Sequence, residues 1–271
     1  ESLLKALRRE TRLDEEKRNL TRMRAKLEGK KQDALRLPHT YDRFCTPNVL
    51  IIERFRGVSM SEVIAGRCEL KSEQRKILAK RVLQELMVQV FEVGLFHGDP
   101  HAGNLILLED GTVGLFDWGL TGELRESDRR HISAILKSLL LGDIDRLTGV
   151  LLELAQESSP DITRAAIVLE MKKVNEVQQK AKADGVPATL VEMTEACLGG
   201  CDNLGIRVPE GLLMMVKSLL TIEGLAKGID PELSFARAAG PILFKAAKPN
   251  IHELFGMGKK LPGVLRKVMA G

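Results

Sequence analysis

His97-Gly98-Asp99-Pro100-His101-Ala102-Gly103-Asn104, followed by Asp117-Trp118-Gly119, is the stretch on which the reading of this chain turns. Asp99 and Asn104 stand in the spacing Asp-x-x-x-x-Asn. Phosphoryl transfer requires a carboxylate that orients and deprotonates a hydroxyl, with an amide oxygen close by to hold Mg²⁺. Pro100 and Gly103 give the loop turns that can aim both side chains into one cleft. Asp117 follows a second apolar run, where a carboxylate can bind the metal that bridges nucleotide phosphates. Asn104 and Asp117 together offer the hard oxygen ligands that Mg²⁺ prefers. Taken singly, each of these residues also reads as a turn cap or a strand start. Their order around one hairpin favours the chemistry.

Working outward, Leu105–Leu108 and Val113–Phe116 flank Asp110-Gly111, a strong hairpin signal. Upstream, residues 72–95 pattern as an amphipathic helix that stops at Gly94. Ser59 and Glu62 fit a cap before a short helix. The β-branched run Val49–Glu53 predicts a buried strand, broken by Gly57. Residues 2–33 are highly charged, with Leu3, Leu4, Leu7, Leu13, Leu20 and Leu27 near helical spacing, and predict one long helix. From about residue 125 onward the pattern is helical only, with breaks near Gly142, Pro160, Gly185, Gly199-Gly200 and Pro209. The expected class is α+β: a β-containing part over residues 1–57, a mostly helical lobe over 58–240 carrying the loop and hairpin, and a basic segment over 241–271.

A competing reading takes His97-x-Asp99-x-His101 as ligands of a metallohydrolase. Zinc centres draw three protein ligands with a second shell, and His39, His131 and His252 sit in no second ligand motif. His97 is instead expected to brace the loop by hydrogen bonding. Gly256-Met257-Gly258-Lys259-Lys260 lacks P-loop spacing and follows no strand. Cys197 and Cys201, one helical turn apart with no second Cys/His pair, read as core thiols.

Aromatic residues make up only 4 % of the 271-residue chain, so aliphatic side chains must fill the core, which favours packed helices. A net charge of +4, with one Trp and one Tyr, argues against a nucleic-acid partner. Four cysteines imply no disulfide framework and fit a reducing compartment. No apolar run approaches the roughly 20 residues of a membrane span. The chain opens on Glu1 within a helical pattern, which reads as a fragment of a longer product. Residues 241–271 place Lys245, Lys248, Lys259, Lys260, Arg266 and Lys267 among apolar residues. Such a segment can lie on an anionic membrane surface or cover the helical lobe, and both readings stay open.

His97 to Asn104 resembles the catalytic loop of the UbiB (AarF/ADCK) family of atypical kinase-like proteins, and Asp117-Trp118-Gly119 resembles its Asp-Phe-Gly, with Trp as a departure. A similar Asp-Trp occurs in aminoglycoside-phosphotransferase-like enzymes, so the flanks matter. Glu10 to Asn19, Thr46 to Glu53, Val208-Pro209-Glu210, Lys217 to Gly224 and Asp230-Pro231 all resemble UbiB blocks. The resemblance implies a protein-kinase-like fold with a truncated N-lobe and a large helical C-lobe, using ATP and Mg²⁺. It implies Asp99 as the catalytic-loop Asp and Asn104 and Asp117 as metal ligands. Glu16 would be the helix Glu that pairs with the nucleotide Lys, and Glu53, Arg54 and Phe55 would form the adenine hinge. The strand carrying that Lys is expected upstream of Glu1, so Glu16 has no expected Lys partner and the fragment alone is expected to be inactive. Position 12 is Arg where the family's Glu-x-Asp motif has Asp. Implied biology is support of isoprenoid quinone (ubiquinone) biosynthesis, with a lipid or quinone precursor as partner. The implied location is cytoplasmic, with peripheral inner-membrane contact left open. Two alternatives remain: a small-molecule phosphotransferase resembling aminoglycoside or choline kinases, and a nucleotide-binding pseudokinase scaffold.

Overall fold

The computed structural model describes residues 13–28, 34–141, 143–156, 161–183 and 190–247. The chain divides into two compact units, Glu1–Leu124 with Lys217–Ala239, and Arg125–Val216 with Gly240–Gly271.

The first unit begins with α1 (Leu13–Leu27). Acidic residues fill its first turn and Arg24 and Lys26 its last, the order the helix dipole favours. Leu20 and Met23 are buried. Residues 2–12 and 29–33 of the expected longer helix lie outside the described residues. After β1 (Leu35–Arg36) the chain makes a 3-10 turn at Asp42–Phe44. The strand expected over Val49–Glu53 does not form. Tyr41 N donates to Ile51 O at 2.9 Å and Glu53 N to His39 O at 2.7 Å, with only isolated bridges at Thr40–Ile52 and Thr46–Val49. Val49 is 44 % and Ile51 40 % exposed, so the run is not buried either. β-Branched content reports local stiffness, and here no continuous ladder or covering layer follows from it.

Gly57 does not break a strand but opens one, β2 (Gly57–Ser59). A Cβ at Gly57 would stand 2.1 Å from Leu107 O, so only glycine allows this approach. The short helix α2 (Met60–Ile64) carries the expected capping box: Glu62 N donates to Ser59 Oγ at 3.3 Å and Ser59 N to Glu62 Oε2 at 3.2 Å. The amphipathic helix α3 (Ser72–Val88) buries Leu78, Val82, Leu83 and Leu86. It passes into a π turn at Gln89–Val93 and ends at Gly94, whose φ of 74° is the left-handed conformation glycine tolerates. Then come β3 (Leu95–His97), β4 (Leu105–Leu108), β5 (Val113–Leu115) and β6 (Thr121–Glu123). The β4–β5 hairpin lies where Asp110-Gly111 predicts it, with Gly111 at φ 79°. One sheet has the order β1-β5-β4-β2 and the other pairs β3 with β6.

Among its described residues the second unit is helical, as expected. Helices α4 (Glu126–Leu141), α5 (Ile144–Gln156), α6 (Arg164–Ala183) and α7 (Leu190–Asn203) pack consecutively. No break occurs at Gly199-Gly200. α7 runs through both glycines to Asn203, and Gly205 at φ 65° follows it. A Cβ at Gly200 would lie 3.5 Å from the Glu170 side chain, an ordinary van der Waals contact, so the packing of α6 on α7 does not require glycine there. Cys197 is exposed and Cys201 half-buried, so they are not core thiols.

α8 (Glu210–Ile229) starts after Pro209, and from Lys217 onward it belongs to the first unit. There Ser218, Ile222, Leu225, Ala226 and Ile229 are buried. Arg75 ties three helices by donating to Val63 O at 2.8 Å and Ile229 O at 3.4 Å. α9 (Phe235–Ala247) completes the described chain, and residues 248–271 of the basic segment lie outside it.

Candidate active site

The loop after β3 is built around His97, which is 1 % exposed. Asp99 N donates to His97 Nδ1 at 3.1 Å. That ring nitrogen must therefore be unprotonated, and Nε2–H faces Phe116 O at 3.1 Å. Burial pushes the imidazole below its ordinary value, which favours the neutral ring. His97 thus links the Asp99 loop to the residue before Asp117. With both ring nitrogens engaged it is not placed to serve as a metal ligand. In the same loop Gly103 N donates to His101 Nδ1 at 3.0 Å. Gln89, buried in the π turn, accepts from His97 N at 3.4 Å. The Gln89 Nε2 is buried without a partner among the described residues.

Asn104 is buried beside this core, in a 3-10 turn that leads into β4. Its Nδ2 donates to Asp99 O at 3.3 Å, and its backbone oxygen accepts from Phe116 N at 3.1 Å. The hairpin therefore brings Asn104 and the Asp117 segment together. Asp117 has φ 60°, an uncommon backbone state that aspartate tolerates better than most residues. Its Oδ1 accepts a long 3.4 Å bond from Gly119 N. The Asn104 amide nitrogen is spent on Asp99, and among the described residues no bond reaches its side-chain oxygen. The exposed Asp117 carboxylate and an amide oxygen at Asn104 are hard donors of the kind that suit Mg²⁺.

α1 is clamped to the Asp117 segment at two points. Trp118 N donates to Glu16 Oε1 at 3.2 Å, and Asn19 Nδ2 donates to Trp118 O at 2.9 Å. Burial raises the Glu16 carboxyl above its ordinary 4.5, and the charge of Asp117 raises it further. The folded protein holds this proton more tightly than the unfolded chain does. The stabilising contribution is full below about pH 4.5 and is lost as pH rises through the raised value. Glu16→Gln keeps the acceptor and removes the charge. It is expected to raise Tm by about 2–4 °C near pH 7.5 in metal-free buffer and to change nothing near pH 4.5, as scanning calorimetry at both pH values will read.

Glu53, Arg54 and Phe55 are not drawn to Asp99 by any bond among the described residues. The Glu53 carboxylate pairs with Arg36 and accepts from His39 N at 3.2 Å. Arg54 is exposed. The Phe55 ring packs on Gly114 in β5, where a Cβ would come within 2.3 Å of it.

Three contributors were missed as site residues in the sequence: Asn19, Ser218 and Lys217. Lys217 Nζ lies 3.0 Å from Asp99 Oδ2, and Ser218 Oγ donates to His97 O at 3.0 Å. The available signal was a Lys-Ser pair inside the apolar run Leu212–Leu220.

Residues 1–151 match the family model of the ABC1 atypical kinase-like domain. The chain is 28 % identical over 224 residues to a protein of Shewanella baltica named probable protein kinase UbiB, covering 78 % of this chain and 38 % of the relative. A Shewanella oneidensis protein of the same name matches with the same identity and coverage. The chain thus spans about two fifths of the length of these curated relatives. The solved structure of Mycobacterium tuberculosis Rv3197 in complex with erythromycin superposes with a TM-score of 0.60 at 17 % identity, covering 92 % of this chain and 62 % of that one. The α+β fold is therefore kinase-like, and on the match over more than half its length the chain belongs to the ABC1 atypical kinase-like family.

Proposed function

We propose that this chain carries the phosphotransfer loop of an ATP-dependent kinase or ATPase of the UbiB type. The observation that supports this most is the linkage of Asp99, Asn104 and Asp117 through His97 and the β4–β5 hairpin. Asp99 orients the attacking hydroxyl or water and accepts its proton. The attacking oxygen bonds to the terminal phosphorus as the bond to the bridging oxygen breaks, and the nucleoside diphosphate leaves with that electron pair. Asn104 and Asp117 would hold Mg²⁺, which neutralises phosphate charge when bound. Glu16 and Asn19 hold the Asp117 segment in register through the Trp118 backbone.

Support of isoprenoid quinone biosynthesis, a lipid or quinone-precursor partner, and a cytoplasmic location with peripheral membrane contact through residues 241–271 follow from the likeness to the UbiB proteins. Among the described residues no helix is long and apolar enough to cross a membrane. ADP formation by the intact protein, with and without Mg²⁺, tests the reading. Mg²⁺-dependent ADP release that responds to quinone-like lipids is the expected result. Transfer of phosphate to an aminoglycoside or choline instead would replace it with a small-molecule kinase. Nucleotide binding without any turnover would replace it with a scaffold.

A further inference from the structure

α8 delivers a charge to the loop that carries Asp99. Ser218 is 1 % exposed, and its hydroxyl bond to His97 O fixes where the helix crosses the loop. The adjacent Lys217 reaches outward, its side chain 51 % exposed against 36 % for Asp99. An ion pair this open contributes little to stability. An ammonium has three donors, Asp99 takes one, and no other acceptor contacts Lys217 among the described residues. Residues 97–104 contain no Lys or Arg, while Asp99, Asp117 and Glu16 all carry carboxylates. Moving a phosphoryl group through a charged transition state requires positive charge aimed at it, and the loop itself offers none.

We propose that Lys217 is a catalytic residue that binds the terminal phosphate of the nucleotide while still holding Asp99. The inference rests on the phosphotransfer reading above. Through the transfer Lys217 keeps all its protons, the acceptor's proton passes to Asp99, and the diphosphate departs with the broken bond's electrons. Because the ammonium addresses the terminal phosphate, it distinguishes a triphosphate from a diphosphate.

The test is titration calorimetry of Mg-ATP and Mg-ADP on the intact protein as wild type, Lys217→Met, Lys217→Arg and Ser218→Ala. Lys217→Met is expected to weaken Mg-ATP about tenfold and Mg-ADP less than about threefold, with Tm within about 2 °C of wild type. Lys217→Arg keeps the cation and is expected to retain the triphosphate preference. Ser218→Ala loosens the seat of α8 on the loop, and is expected to lower Tm by a few degrees and to weaken the triphosphate preference less than Lys217→Met does. A wild-type preference in Lys217→Met, or equal loss of both nucleotides, would overturn the assignment. So would a fall in Tm beyond about 5 °C in both Lys217 variants, because Lys217 would then be a structural strut. If wild type binds Mg-nucleotide and Asp117→Asn abolishes that binding, a negative Lys217 result counts against Lys217 alone. If wild type binds neither nucleotide, the phosphotransfer reading fails and this inference with it.

Discussion

Asp99→Asn in the intact protein is expected to cut turnover of Mg-ATP by about a thousandfold while leaving Kd for Mg-ADP within about threefold. Asparagine matches aspartate in size, and the bonds that shape the loop use the Asp99 backbone: its N–H to His97 Nδ1 and its C=O from Asn104 Nδ2. Both survive the substitution. What disappears is the carboxylate that pairs with Lys217 and that the proposed function assigns the acceptor's proton. General-base contributions span about 10²–10⁴ in rate, so a loss in mid-range with unchanged diphosphate binding is the signature of that role. Steady-state kcat and equilibrium Kd measured on one preparation separate the two terms. A large loss of Mg-ADP affinity would instead make Asp99 part of the nucleotide's binding site, and an unchanged kcat would remove it from the chemistry.

Trp118→Ala is expected to cost about 3–5 kcal/mol of stability and about 10 °C or more in Tm. The indole is 0 % exposed, donates from Nε1 to Leu115 O at 3.2 Å, and meets His97 edge to face at 5.1 Å between ring centroids. Truncation opens a cavity, orphans a buried carbonyl and loosens the imidazole that links the two acidic segments. Trp118→Phe restores the residue of the family's Asp-Phe-Gly. It loses the Nε1 bond and some volume, and is expected to cost about 1–2 kcal/mol. Calorimetric unfolding of both variants reads the difference. If alanine were tolerated within about 1 kcal/mol, the described packing around Trp118 would be wrong.

The elements legible in the sequence are those whose signals are local. Asp110-Gly111 marks a hairpin because glycine takes the positive φ there, and Ser59 with Glu62 marks a helix start because both halves of the box lie within one turn. Asp99, Asn104 and Asp117 fall within one short stretch, so their spacing could be read directly. The failures have a common cause. Val49–Glu53 has strand chemistry, yet its exposure depends on what covers it, which no local pattern encodes. The strands β3 and β6 are each three residues long, too short for periodicity to show. Asn19 meets Trp118 across 99 residues and Lys217 meets Asp99 across 118, so only folding juxtaposes them. Gly199 and Gly200 look like a helix break because glycine lowers propensity, yet α7 runs through both, since that cost is small beside tertiary packing.

The most direct test of the central claim is thermal unfolding of the intact protein with ATP, with and without Mg²⁺, in wild type and Asp117→Asn. The account predicts that Mg-ATP raises wild-type Tm by several degrees, that ATP without Mg²⁺ does much less, and that Asp117→Asn loses the metal-dependent part. A folded wild type that ignores Mg-ATP, or an Asp117→Asn variant that keeps the full metal-dependent shift, would contradict it.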